Sequence, residues 1–284
     1  MRLLRQVVMA KRIDLRPPGI DNPGMLSRRW FNVIVAVVIG GVLTGCPVMQ
    51  KRPPGPIEHL REPLTQRKYR LYVPTWYDSA QQYPLVITLQ GTDVWDGPLR
   101  QAEEWGLLAE NHGFIIVAPD MNSTQGIFPN PHDAWFKDMA EDEEVILALI
   151  EELASEYNID RDYIVLSGFS GGGFPMWYTG LRNPEVFQML IGRATNSSIE
   201  LFESIELTDA ARDMPIYIFW GKDDLPPLKS QCWQAYRYLR ERGCFETDMK
   251  EIKGGHLRRP EVAYEYWTRY LPPKYRNRRP PAAP

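Results

Sequence analysis

Between residues 69 and 270 two kinds of apolar pattern take turns along the chain. Short continuous runs rich in β-branched residues predict strands buried on both faces, and longer stretches with apolar side chains three and four apart predict helices. The first kind occupies residues 84–89, 113–118, 163–169, 187–191 and 215–220. Residues 69–73 and 245–252 alternate instead, which predicts an early edge strand and a last strand. Helical spacing covers residues 99–111, with Trp105, Leu108 and Ala109 on one side, and 143–157, with Val145, Ile146, Leu149, Ile150 and Leu153. It returns at 172–181, at 228–242 up to Gly243, and at 260–270. Strands that alternate with helices at this spacing predict an α/β fold: a mostly parallel twisted sheet with helices on both faces. In such sheets ligands bind beyond the carboxyl ends of the strands.

The flanks have a different character. Arg28-Arg29 precede an apolar run from Trp30 to Val42, followed by Leu43-Thr44-Gly45-Cys46. A basic start, a short apolar stretch and small residues before a cut site predict an export signal over residues 1–45. An uncleaved N-terminal anchor is the alternative. Leu43-Thr44-Gly45-Cys46 resembles the lipobox of bacterial lipoproteins, which implies lipid on Cys46 as the first mature residue. Ser27-Arg28-Arg29-Trp30-Phe31 resembles a twin-arginine signal, and Met25 is a plausible true start for a signal of usual length. Residues 46–65, with Lys51-Arg52-Pro53-Pro54-Gly55-Pro56, predict a stiff tether, and 272–284 a disordered tail. The expected location is therefore outside the cytoplasm, held to a membrane through the N-terminal lipid.

Composition narrows the function. Of 284 residues, about 240 remain after the signal, enough for one α/β domain with a full core. The formal net charge is -3, from 33 basic and 36 acidic residues. That leaves no polybasic field for nucleic acid. No cysteine or histidine spacing suits a metal, and no metal or organic cofactor is implied.

The strand ending in Tyr163-Ile164-Val165-Leu166-Ser167 runs into Gly168-Phe169-Ser170-Gly171-Gly172-Gly173. This fits the G-x-S-x-G nucleophile elbow, a sharp turn that needs small residues two before and two after the serine. A glycine-rich turn would match by accident, so Ser170 needs partners. A serine hydroxyl is nearly inert at neutral pH without an adjacent base, and the base needs a carboxylate to hold its tautomer. With this fold the chain order is serine, acid, histidine. Of the four histidines only His256 follows Ser170. Strand 215–220 ends in Gly221-Lys222-Asp223-Asp224, which supplies two competing carboxylates. The oxyanion requires two backbone donors. Gly171 is one, and the loop Gln90-Gly91-Thr92-Asp93 gives the other, Thr92 first and Asp93 next.

From about residue 69 to 270 the chain is similar to the α/β-hydrolase superfamily, most of all to secreted feruloyl-esterase and polyhydroxybutyrate-depolymerase-like esterases. The resemblance rests on Pro84-Leu85-Val86, Asp142-Glu143, Gly168 to Gly173, Gly221 to Asp224 and Gly254-Gly255-His256. It implies that the acid is Asp224, the third residue after the turn glycine, and places the hydrolase domain at 66–271 without a large lid. Two residues depart from the family pattern. Gln90 stands where a histidine usually precedes the oxyanion glycine, and Gly171 where Asn, Ala or Gln is commoner.

Three features stay outside this constellation. Cys232 and Cys244 flank a helix that separates them by about 15 Å, too far for a disulfide. The segment 121–138 carries Phe128, His132, Trp135 and Phe136; Trp135 and Phe136 either contact an acyl or phenolic group or pack the loop down. Residues 195–213 leave room only for a short lid. The expected activity is that of a serine carboxylic-ester hydrolase working through an acyl-enzyme on aryl, acyl-sugar or polyester-type esters. A serine peptidase on the same fold and an inactive membrane-tethered binding protein are the alternatives.

Overall fold

Strand β5 (Ile159–Phe169), 11 residues long, is the axis on which the rest is built. The computed structural model describes residues 52–125 and 132–281. The chain divides into two units, 1–50 and 51–284. The first lies outside the described residues, as do the export signal, the Cys46 site, Phe128 and the side chain of His132.

Ahead of β5 come β1 (Glu58–Arg61), β2 (Lys68–Tyr72), β3 (Tyr83–Leu89), α1 (Pro98–His112), β4 (Ile115–Pro119) and α2 (His132–Glu156). After it come α3 (Gly173–Arg182), β6 (Met189–Arg193), the short helices α4 (Ile199–Glu203) and α5 (Asp209–Asp213), and β7 (Ile216–Gly221). The chain closes with α6 (Pro226–Glu241), β8 (Thr247–Ile252), α7 (Pro260–Trp267) and α8 (Pro273–Arg276). The strands form one 8-stranded sheet in the order β1-β2-β4-β3-β5-β6-β7-β8. β1, β2 and β4 pair antiparallel, and every pairing from β4 to β8 is parallel.

Neighbouring residues of a strand point to opposite faces, so the continuous apolar runs fill two layers. Leu85, Ile87 and Leu89 of β3 share a core with Val145 and Leu149 of α2, Trp177 of α3 and Leu239 of α6. Val86, Val165 and Ile191 face the other way, against Trp105 and Ala109 of α1 and Trp267 of α7. Each such aliphatic side chain taken out of water stabilises by about 1.5–3 kcal/mol. That explains why the buried strands are almost uninterrupted in Val, Ile and Leu.

Four expectations change. The strand at 69–73 is not the sheet edge, because β1 pairs outside it, Leu60 opposite Tyr69. A four-residue polar strand inside a proline-rich stretch has no hydrophobic signature, so residues 58–61 read as tether. α2 begins at His132 rather than near residue 143. Its first turns hide their apolar face among charges, and buried Asp142 accepts hydrogen bonds from Asn122 N, Ser123 N and Arg67 at 2.8–2.9 Å. The tail is ordered through residue 281: Tyr275 is buried, and its hydroxyl donates to Asp160 at 2.5 Å. The domain accordingly extends beyond 66–271 at both ends. Cys232 and Cys244 are separate buried thiols, and burial pushes the Cys232 thiol up to about 12.

Candidate active site

At the carboxyl end of β5 the backbone breaks into a three-residue 3-10 turn, Ser170–Gly172, before α3 starts. Ser170 has φ 49°, a left-handed conformation that costs a non-glycine residue energy and persists where its surroundings impose it. The imposition is steric. A Cβ on Gly168 would lie 2.3 Å from the Gly172 carbonyl oxygen, and one on Gly172 would lie 2.4 Å from that of Gln90. Only glycine at both positions allows the turn to close. The Ser170 carbonyl is tied down by Asn196 N at 2.9 Å. The serine thus stands at the mouth of α3, where the first helical amides have no partner inside the helix.

The loop after β3 lies against this turn. A Cβ on Gly171 would come within 3.2 Å of Thr92 N, and one on Gly91 within 3.2 Å of Ser170 Cβ. Loop hydrogen bonds separate the two candidate donors. Asp93 N donates to Thr124 O at 3.1 Å, and Gly91 N donates to Asp96 Oδ2 at 2.8 Å. Thr92 N donates to no acceptor among the described residues and lies 3.2 Å from where a Cβ on Gly171 would stand, so it is left available to an oxyanion where Asp93 N is spent on Thr124 O. Gln90 is buried; its amide donates to Asp93 and to Thr124 Oγ1. Burial pushes the Asp93 carboxyl above its ordinary range, against the opposing hydrogen bonds from Thr124 and Gln90.

On the far side, β7 and β8 end side by side. A Cβ on Gly221 would fall 2.1 Å from the Gly255 carbonyl oxygen, so the acid turn and the histidine turn can touch only through glycine. Asp223 N donates to Gly254 O at 2.8 Å and Asp224 N to Gly221 O at 3.0 Å. This turn sends the Asp223 side chain into solvent and buries that of Asp224. His256 Nδ1 lies 3.0 Å from Asp224 Oδ1 and 3.3 Å from Oδ2. Asp224 Oδ1 also accepts from Leu225 N at 2.7 Å. The imidazole ring stacks on Phe169, the residue before Ser170, with centroids 4.7 Å apart.

The structure therefore brings Asp224 and His256 into direct contact, and it sets Gly171 and Thr92 beside Ser170. Among the described residues the Ser170 hydroxyl makes no hydrogen bond to His256. Such bonds are often long without substrate and tighten only in the reacting complex. Of the two readings for Trp135, substrate contact or packing, its burial fits packing. Trp135 is a core side chain on the first turn of α2, edge-on to Phe174 at 4.6 Å, and Phe136 packs toward Tyr178. An amphipathic helix start takes these rings inward, where a loop would have left them outside. Among the described residues no group of three or more His, Cys, Asp or Glu is arranged to hold a metal.

Beneath the elbow is a polar cluster that the sequence did not single out. Arg193, the last residue of β6, is fully buried. It donates to Ser167 Oγ at 2.9 Å and to Thr88 Oγ1 and Gln101 Oε1 at 2.8 Å. Burial lowers its pKa to about 10, against the nearby charges of Glu104 and Asp96. The available signal was polar residues closing otherwise apolar strands: Thr88, Ser167 and Arg193.

Comparison with known proteins is consistent with this geometry. Residues 62–243 match the family model described as "Putative esterase". The bifunctional acetylxylan esterase/xylanase XynS20E of Neocallimastix patriciarum is 26% identical over 167 residues, which are 59% of this chain and 23% of that protein. The chain thus aligns with less than a quarter of that relative's length. The probable feruloyl esterase C of Aspergillus terreus is 25% identical over 201 residues, 68% of each chain. Among solved structures, a CE1 ferulic acid esterase from Anaeromyces mucronatus, in complex with ferulic acid, superposes with TM-score 0.58 at 19% identity. That superposition covers 78% of this chain and 91% of the other. The α/β-hydrolase architecture is thereby shown.

Proposed function

The chain belongs to the esterase family matched above, and on that premise we propose that it is a serine carboxylic-ester hydrolase working through an acyl-enzyme. The observation that carries this is one juxtaposition. A strained serine at a strand end lies beside Gly171 and the loop that carries Thr92 N, and a buried carboxylate pairs with the histidine that stacks on Phe169.

Ser170 Oγ attacks the ester carbonyl carbon while His256 Nε2 takes its proton. Asp224 holds the Nδ1 proton and stabilises the imidazolium. The carbonyl oxygen becomes an oxyanion and accepts from the Gly171 and Thr92 amides, each such donor being worth about 2.7–4 kcal/mol of barrier. Collapse breaks the bond to the leaving oxygen, which receives the proton from His256. Water, deprotonated by His256, then attacks the acyl-enzyme, releasing the carboxylic acid and restoring Ser170. No metal or organic cofactor takes part.

Val94, Trp95 and Leu257 are exposed large apolar side chains next in sequence to the oxyanion loop and the base. They favour esters with an apolar or aryl group on a bulky carrier, in the class of aryl, acyl-sugar or polyester substrates. Ser170→Ala is expected to lower turnover of p-nitrophenyl acetate by on the order of 10⁴-fold or more while the fold is retained. Turnover unchanged in a folded variant would sink the mechanism. A p-nitroanilide peptide assayed in parallel tests the peptidase alternative, and fluorophosphonate labelling tests the inactive-scaffold one.

The proposed layout is an export signal at 1–45, lipid on Cys46, and a hydrolase domain held at the outer face of a membrane.

A further inference from the structure

We infer that Arg258 is a positioning residue that sets the oxyanion donor against the nucleophile and base, through Asp96; the inference rests on the serine-esterase reading above. Asp96 braces the oxyanion loop. Its Oδ2 accepts from Gly91 N at 2.8 Å, and its own N–H donates to Thr92 O at 3.1 Å. One residue therefore grips the backbone on both sides of the Thr92 amide. Asp96 Oδ2 also accepts from Gln101 Nε2 at 2.6 Å, and Gln101 Oε1 in turn accepts from Arg193. The other oxygen, Asp96 Oδ1, is buried and makes no hydrogen bond among the described residues. The cation it faces is Arg258, with Nη1 at 3.6 Å.

Arg258 meets the other two catalytic segments as well. It follows His256 by two residues. Its guanidinium lies over the Phe169 ring, 5.8 Å from the centroid, and His256 stacks on that same ring. Its carbonyl accepts from Arg193 Nη1 at 3.4 Å. Its other edge forms a two-pronged pair with Glu104 of α1, Nε to Oε2 at 2.8 Å and Nη2 to Oε1 at 2.6 Å. This planar fork fixes the guanidinium's orientation in a way that a lysine ammonium would not. Three loops arriving from different strands thus converge on one side chain. A displacement of about 1 Å at such a site costs on the order of 10²-fold in rate.

The test compares purified Arg258→Met, Arg258→Lys, Asp96→Asn and Glu104→Gln with the parent. It reads kcat and KM for p-nitrophenyl acetate, the rate of fluorophosphonate labelling, and Tm. The inference expects Arg258→Met and Asp96→Asn each to lower kcat and labelling rate by about 10- to 100-fold with KM within about threefold. Arg258→Lys, which keeps the charge without the fork, should recover part of the loss. A double variant combining Arg258→Met with Asp96→Asn should lose little more than either single one, because both act on one amide. Should Arg258→Met fail to fold, Arg258→Lys and Glu104→Gln, which leave Asp96 in place, decide by a lowered kcat at unchanged KM. Variants whose Tm or KM falls while kcat stays within twofold would overturn the inference and leave Arg258 a stability residue. A parent without Ser170-dependent turnover would overturn the esterase reading itself and this inference with it. That failure is seen in the parent before any variant is compared.

Discussion

Ser170 holds a backbone conformation that its neighbours enforce with carbonyl oxygens, and the same steric logic governs the acid. Lys222 N, Asp223 N and Asp224 N are each spent on the turn that joins β7 to the histidine loop. That turn decides which aspartate is buried. Asp224→Asn is expected to lower kcat by on the order of 10⁴-fold with the fold intact, since an amide stabilises the wrong tautomer. Asp223→Asn, in solvent, should change neither kcat nor stability beyond about 0.5 kcal/mol. Steady-state kinetics and a urea midpoint for each variant check both. Ser170, His256 and the Gly221 turn were legible in the chain because the fold fixes their order. The choice between Asp223 and Asp224 needed a resemblance, because two adjacent side chains are distinguished only by a turn. Arg193 and Asp96 were not legible: the hydrogen-bond partners of Arg193 lie 26–105 residues away, those of the Asp96 carboxylate 5 residues to either side, and no period links them.

At the scale of elements, the segment after α7 shows how composition misleads. Pro272-Pro273-Lys274 and the arginines that follow look like a solvated tail, yet α8 docks on β5 through the Asp160 carboxylate and the Tyr163 ring. Asp160 Oδ2 accepts from Tyr275 OH at 2.5 Å and from Lys274 at 3.0 Å, and Arg278 donates to Gln82 O at 2.9 Å. Burial raises the Asp160 pKa, and the bonds from Tyr275 and Lys274 outweigh it, so the group is held below its ordinary value. The sign follows directly. Because the unfolded chain binds this proton more readily, the stabilisation is complete above the ordinary carboxylate value, about 4, and is lost as pH falls through the folded value. Asp160→Asn should therefore flatten the acid limb of stability between about pH 5 and 3, measured as urea midpoints across pH. Tyr275→Phe should cost about 1–3 kcal/mol at neutral pH in the same assay.

For the whole molecule, the alternation of strand and helix was the most legible feature, since a parallel sheet buried on both faces demands continuous apolar runs. The two ends of the domain were the least legible. Both fasten to α1 and its C-cap: Arg52 pairs with Glu103 at 3.1 Å and Pro53 lies beside Gly106, while Arg278 meets the Gly113 backbone. Those contacts join residues far apart in sequence, and no local pattern announces them. If Cys46 carries the lipid, the fastening makes the hydrolase a self-contained body downstream of it. Cys46→Ser expressed in a bacterial host should move the protein from the membrane to the soluble fraction and abolish incorporation of a labelled fatty acid. Esterase turnover should be retained.

The buried guanidinium under the elbow has a consequence for how the sheet finds its alignment. The continuous apolar runs around Val86, Val165 and Ile191 mark the register of β3, β5 and β6 less sharply than an alternating strand would. In the observed pairing Thr88 stands opposite Ser167, and Phe169 opposite Arg193. This offset delivers the hydroxyls of Thr88 and Ser167, and the Gln101 amide, to the arginine. A shift of one residue would bury an unsolvated charge among aliphatic side chains, at a cost of several kcal/mol. Arg193 thus couples strand alignment to polar satisfaction: an offset that takes these acceptors away is penalised.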